Sequence, residues 1–108
     1  MPSKELVGAV LNTEVTQVSI DGNKIRYNEH YVINTSEFSD KCKEWIFDQG
    51  YDNVNSGYNA GVRSGRKMII CNIKKFKGFM KKNDLDFDAD TESEAIFKAA
   101  EWVLKEKE

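Results

Sequence analysis

Two stretches of this chain carry the same helical stripe. In "EFSDKCKEWIF", Phe38, Cys42, Trp45 and Ile46 recur at i, i+4, i+7 and i+8. In "EAIFKAAEWVL", Ile96, Ala99, Ala100, Val103 and Leu104 form a second apolar face. The two align at Glu37/Glu94, Lys41/Lys98, Glu44/Glu101 and Trp45/Trp102, and each follows a segment that reads as a pair of strands. A duplicated ββα unit produces this pattern, and so do two amphipathic helices with similar packing duties. Either way each stripe must be buried against another element. The expectation is an α+β domain, ββαββα, with one antiparallel sheet of about four strands and both helices on one face, through the Trp45 and Trp102 sides.

The strand segments have their own signals. "TEVTQVSI" alternates and is rich in β-branched residues. "DGN" follows as a turn that tolerates positive φ, and "KIRYNEHYVI" resumes the strand pattern. Asn34 or Thr35 can cap the first EW helix, with Glu37 placed for a capping box from Asn34, and Gly50 stops it. "YDNVNSGYNAGVRSG" is rich in Gly, Asn and Ser and reads as a short strand and a long loop. "KMIICNIKKF" has the length and apolarity of a central strand. Residues 3 to 11 fit a helix through Leu6, Val7, Val10 and Leu11, or a strand broken at Gly8.

A length of 108 residues fits one domain, 1–108, and 40% hydrophobic with 31% charged residues is an ordinary soluble composition. Such a domain buries a core without needing metal or disulfides. Cys42 and Cys71 lack metal-ligand spacing and read as buried free thiols. A net charge of -2 gives no global field toward nucleic acid or membrane. No apolar run approaches a bilayer's thickness and the start lacks signal-peptide features, so a cytoplasmic protein with no membrane partner is expected.

Charge is segregated in the second half. Residues 63–82 hold eight bases and no acid; residues 84–94 hold six acids and no base. The acidic run "DLDFDADTESE" departs from a calcium loop, because starting at Asp84 puts Ala89 at position 6 and Ala95 at position 12, where Gly and Glu are needed. It fits an edge strand instead, with Leu85 and Phe87 inward and Asp84, Asp86 and Asp88 outward, leading into a Thr91–Glu94 capping box. No metal site is expected.

Catalytic patterns are missing. His30, the only histidine, reads as a polar residue on the outer face of a strand. Gly57, Gly61 and Gly65 lead into a strand, unlike a phosphate loop. No catalytic residue, cofactor or small-molecule substrate is inferred. The 51–66 stretch has the composition of an adaptable contact surface. Its Tyr51, Asn55, Tyr58, Arg63 and Arg66, with Asp86 and Asp88, are the expected partner-binding residues. The alternative is a nucleic-acid surface of Arg63, Arg66, Lys67, Lys74, Lys75, Phe76, Lys77, Phe79, Lys81 and Lys82, with lysines on phosphates and rings on bases.

The stretch "FDADTESEAIFKAAEWVLKEKE", with "KCKEWIFDQGY" upstream, resembles small phage- and prophage-encoded proteins of unassigned function, some of them small α/β sandwich domains. The resemblance covers the last quarter and the first EW helix, and carries no catalytic residue. It implies a mobile-element origin and a host protein as partner, in the manner of inhibitors of host defence such as anti-CRISPR proteins. The helix–strand–strand–helix order of the second half also resembles a double-stranded RNA-binding domain. The last helix of that family starts with basic residues, where this chain has "TESE".

Overall fold

The computed structural model describes residues 2–51, 53–63, 66–77 and 80–107, with side chains described for 2–51, 71–73 and 85–106. The element order is α1 (Lys4–Leu11), β1 (Val18–Asp21), β2 (Lys24–Tyr27), β3 (Tyr31–Asn34), α2 (Thr35–Asp48), β4 (Asn53–Arg63), β5 (Arg66–Lys77), β6 (Met80–Ala89) and α3 (Glu92–Lys107). The class is α+β. The expected ββαββα order and single four-stranded sheet are corrected to α-βββ-α-βββ-α, with two antiparallel three-stranded meanders, β1-β2-β3 and β4-β5-β6.

Local chemistry explains the differences. Residues 4–11 are helical because Ser3 caps them, its Oγ accepting from the Leu6 N–H at 3.1 Å, and because Leu6 and Val7 are buried. Gly8 lets the chain fold back after this helix. A Cβ there would lie 3.0 Å from the Thr13 carbonyl oxygen, whose own residue donates back to the Gly8 carbonyl.

"KIRYNEHYVI" is two strands, not one. Asn28 and Glu29 adopt φ 51° and 65° and turn the chain, so that Tyr27 pairs with Tyr31. Asn28 suits that conformation and uses it. Its Oδ1 accepts from the Thr16 N–H at 2.8 Å and the Thr16 hydroxyl at 3.1 Å, and its Nδ2 donates to the Glu14 carbonyl at 2.7 Å. The α1–β1 connection is thereby tied to the β2–β3 turn. At the β1–β2 turn, Gly22 takes φ 61° at the first of two central positions, where a type II′ turn places glycine.

The "YDNVNSGYNAGVRSG" loop is also corrected. Asn53–Arg63 is an eleven-residue strand paired with β5 from Asn53↔Lys74 to Asn59↔Met68, with a register shift before Arg63↔Arg66. Gly, Asn and Ser have low strand propensity, but β4 is an edge, and the apolar β5 supplies its hydrogen-bond ladder. β5 is the central strand, as its sequence indicates.

The core gathers all three helices. Leu6, Val7, Ile25, Phe38, Cys42, Ile46, Cys71, Ile73, Ile96, Ala99, Ala100 and Val103 are buried together. In the first sheet an isoleucine row, Ile20↔Ile25↔Ile33, grades from 39% exposed at the β1 edge to 0% at its centre. α2 meets α3 through Phe38 and Phe97, whose ring centroids are 5.5 Å apart. α2 starts after Asn34, but the Asn34 side chain makes no cap hydrogen bond, so the capping box expected with Glu37 does not form. Beyond α2, the Gly50 N–H donates to Phe47. No helix among the described residues is long and apolar enough to cross a membrane.

The Asn28–Glu29 turn gives two opposite expectations. Asn28→Ala removes the side-chain tie and leaves a Cβ residue at positive φ, and should lower stability by about 1–2 kcal/mol. Glu29→Gly relieves an exposed left-handed residue and should raise stability by up to about 1 kcal/mol. Denaturant titration of both variants checks this; shifts in the same direction would refute the account of the turn.

Candidate functional site

The acidic segment is the expected edge strand. In β6, Leu85, Phe87 and Ala89 are half-buried against the core, while Asp86 and Asp88 are exposed. A period of two makes this inevitable once one face is buried. The register sets Asp84 opposite Lys74, Asp86 opposite Asn72, and Asp88 opposite Ile70. Asn72 Nδ2 donates to the Asp86 carboxylate at 2.5 Å, fixing its direction. The outward direction expected for the Asp84 side chain lies outside the described residues.

The strand then hands over to α3. Thr91 Oγ1 accepts from the Glu94 N–H at 3.2 Å, the expected cap. Asp90 and Glu94 stay exposed, and Glu92 forms a 3.3 Å ion pair with Lys43 of α2. Exposed carboxylates thus run from the middle of β6 onto the positive end of the α3 dipole, which favours them.

The other expected contact residues separate. Tyr51 is 5% exposed and belongs to the core, so it is corrected from a contact residue to a buried one; burial and then the Glu106 carboxylate push its phenol up from its usual range. Asn55 shares a register row with Asn72 and Asp86, whereas Tyr58 pairs with Ile69. The side chains of Asn55, Tyr58, Arg63 and Arg66 lie outside the described residues. So do those of the nucleic-acid set, including Lys67, Lys75, Phe76, Lys77, Lys81 and Lys82, and Phe79 altogether. The backbone still constrains that set. Arg63 and Arg66 face each other at one end of β5, and Lys77 lies opposite Met80, next to Lys81 and Lys82, at the other. Eleven strand steps separate the ends, roughly 36 Å.

His30 sits exposed in the β2–β3 turn, not on a strand face as expected. Among the described residues no three of His, Cys, Asp and Glu converge to hold a metal ion. Cys42 and Cys71 are free and buried. Burial, then the Glu101 carboxylate and Cys71, push the Cys42 thiol far up. Cys71 is pushed up to about 11, chiefly by burial, with Lys43 opposing.

One feature escaped the sequence reading. An open groove of about 430 Å³ lies along α3, with Phe87, Glu94, Lys98, Glu101, Trp102 and Lys105 among its lining. Trp102 is half-buried rather than core, and its ring stands 6.2 Å from Phe87 at 52°. Charges alternating at i, i+4, i+7 and i+11 were the available signal. No family model matches the chain, and neither a curated protein nor a solved structure matches it.

Thr91→Ala should cost about 1 kcal/mol through the lost cap. Asp86→Asn with Asp88→Asn should change stability by less than about 0.5 kcal/mol, since both are exposed. Thermal melts compare them, and equal losses would refute the cap assignment.

The thiols supply a pH expectation. Below the ordinary value of 9.0 each is protonated folded or unfolded, so stability there does not depend on them. Above it the unfolded chain releases protons that the fold retains, so stability should fall from about pH 9 through about 11. Replacing both cysteines with alanine should flatten that part of the curve in denaturant titrations. A decline of unchanged size would assign it to other groups.

Proposed function

We propose that the protein is a non-enzymatic protein-binding module of phage or mobile-element origin, acting as an inhibitor of a host defence system in the manner of an anti-CRISPR protein. The observation that carries this reading is the acidic edge. Asp86 and Asp88 project from a strand whose other face is packed, and neither has a base opposite it in the register. A fixed row of carboxylates is complementary to a basic surface, such as the nucleic-acid channel of a host nuclease. Asn55 shares the register row of Asp86. The C-terminal resemblance to phage proteins supports the origin, and the sequence offers no nucleophile–base set.

The alternative nucleic-acid reading rests on the bases of 63–82. The distance between the two ends of β5, and the placement of Lys74 opposite Asp84, weigh against one continuous basic surface.

Affinity capture from host lysate, with and without nuclease, tests the proposal. The captured protein should survive nuclease treatment. The Asp86→Asn/Asp88→Asn variant, folded like the parent by its melting curve, should bind it about tenfold or more weakly. Loss on nuclease treatment, with affinity falling by about one log unit per phosphate neutralised as salt rises by one, would overturn the proposal in favour of nucleic acid.

A further inference from the structure

The groove along α3 has a counterpart inside the molecule. On α2, Lys41, Glu44, Trp45 and Asp48 border a smaller cleft of about 180 Å³, lined on its other side by Val10 and Leu11 of α1. Lys98, Glu101, Trp102 and Lys105 of α3 occupy the same positions counted from the start of the shared stripe. Trp45, with α1 beside it, is 9% exposed, whereas Trp102 is half-buried. Among the described residues, a helix lies beside this face on α2, whereas on α3 Trp102 meets Phe87 of β6 and no second helix borders the groove.

The charges on the α3 face identify a helix that fits it. Glu94, Lys98, Glu101 and Lys105 alternate in sign along α3. Two copies of α3 laid antiparallel, centred between Ala99 and Ala100, set Glu94 opposite Lys105 and Lys98 opposite Glu101. A twofold axis makes each pair twice, the signature of a self-complementary contact. A face of one sign would repel its own copy.

We propose that the protein pairs with a second copy of itself through α3, antiparallel, with Trp102 and Phe87 of each copy flanking the contact. The hydrogen bonds already made by this face are compatible with the pairing. Glu101 accepts from the Ser3 N–H and hydroxyl through Oε1 only, at 3.0 and 2.7 Å. Lys98 donates one proton to the Asp88 carbonyl at 2.7 Å and has two more to give.

Sedimentation equilibrium up to about 1 mM, where even millimolar affinities register, tests this with the full chain. The wild-type protein should show a monomer–dimer equilibrium. Lys105→Glu sets carboxylates against carboxylates and Glu94→Lys sets ammoniums against ammoniums, so each variant alone should associate about tenfold or more weakly. An equimolar mixture of the two should regain wild-type association, because every end pair is again of opposite sign. Melting curves monitor folding. Should a reversal unfold the chain, Lys105→Gln and Glu94→Gln replace it, and each should weaken association. A wild-type protein that stays monomeric, variants that associate like the parent, or a mixture no stronger than its components overturns the proposal.

Discussion

The packing of α3 is the contact on which the rest of the structure depends. Its inward stripe alternates small and branched residues: Ala95, Ile96, Ala99, Ala100 and Val103 are all essentially buried. The alanines allow close approach, while Ile96 and Val103 share one core with Ile73 and Cys71 of β5. The same helix holds α2 through the Phe38–Phe97 rings and the Lys43–Glu92 pair, and α1 through Glu101 and Ser3. A 16-residue helix thus touches the other two helices and the second sheet. Enlarging Ala99 or Ala100 would push on several of these contacts at once, since the core has no slack to absorb a methylene.

The two sheets are stabilised differently. Strands of four residues cannot bury much, so the β1-β2-β3 meander relies on one isoleucine row, the stacked Tyr27–Tyr31 pair at 5.4 Å, and the Asn28 tie. The β4-β5-β6 sheet has strands of 10 to 12 residues and presents Cys71, Ile73, Leu85 and Phe87 to α3 and the core.

What was legible in the sequence was what one residue or one period decides. The two EW helices and the inward Leu85 and Phe87 follow from 3.6- and 2-residue repeats, the central strand at 67–76 from an apolar run of strand length, and the Thr91 cap from capping-box spacing. What was not legible depends on a partner strand. β4 has a loop's composition and is a strand because β5 lies beside it. The split at Asn28 shows only as a polar break in a β-branched run, and its meaning comes from Thr16 and Glu14, far back in sequence. Tyr51 looked like part of a contact loop because its burial depends on packing from outside its own segment. The separation of the 63–82 bases into two ends is likewise a property of the hairpins and not of the run.

Register converts the charge pattern into a surface. Read along the chain, a basic run precedes an acidic one, and the two invite the simple picture of mutual neutralisation. Read across the sheet, the picture changes with each rung. Lys74 stands opposite Asp84 in the register. Two rungs on, Asp86 meets Asn72, which donates a hydrogen bond but carries no charge, and two further on Asp88 meets Ile70. No base of β5 stands opposite Asp86 or Asp88. A slip of one residue between β5 and β6 would turn Leu85 and Phe87 out to water, so burial of those two side chains holds the register. The same apolar contacts that anchor β6 therefore determine which carboxylates face outward. That is why a hydrophobic change at Phe87, whose side chain points to the core rather than to the acidic face, is expected to disturb that face more than the loss of any neighbouring lysine would.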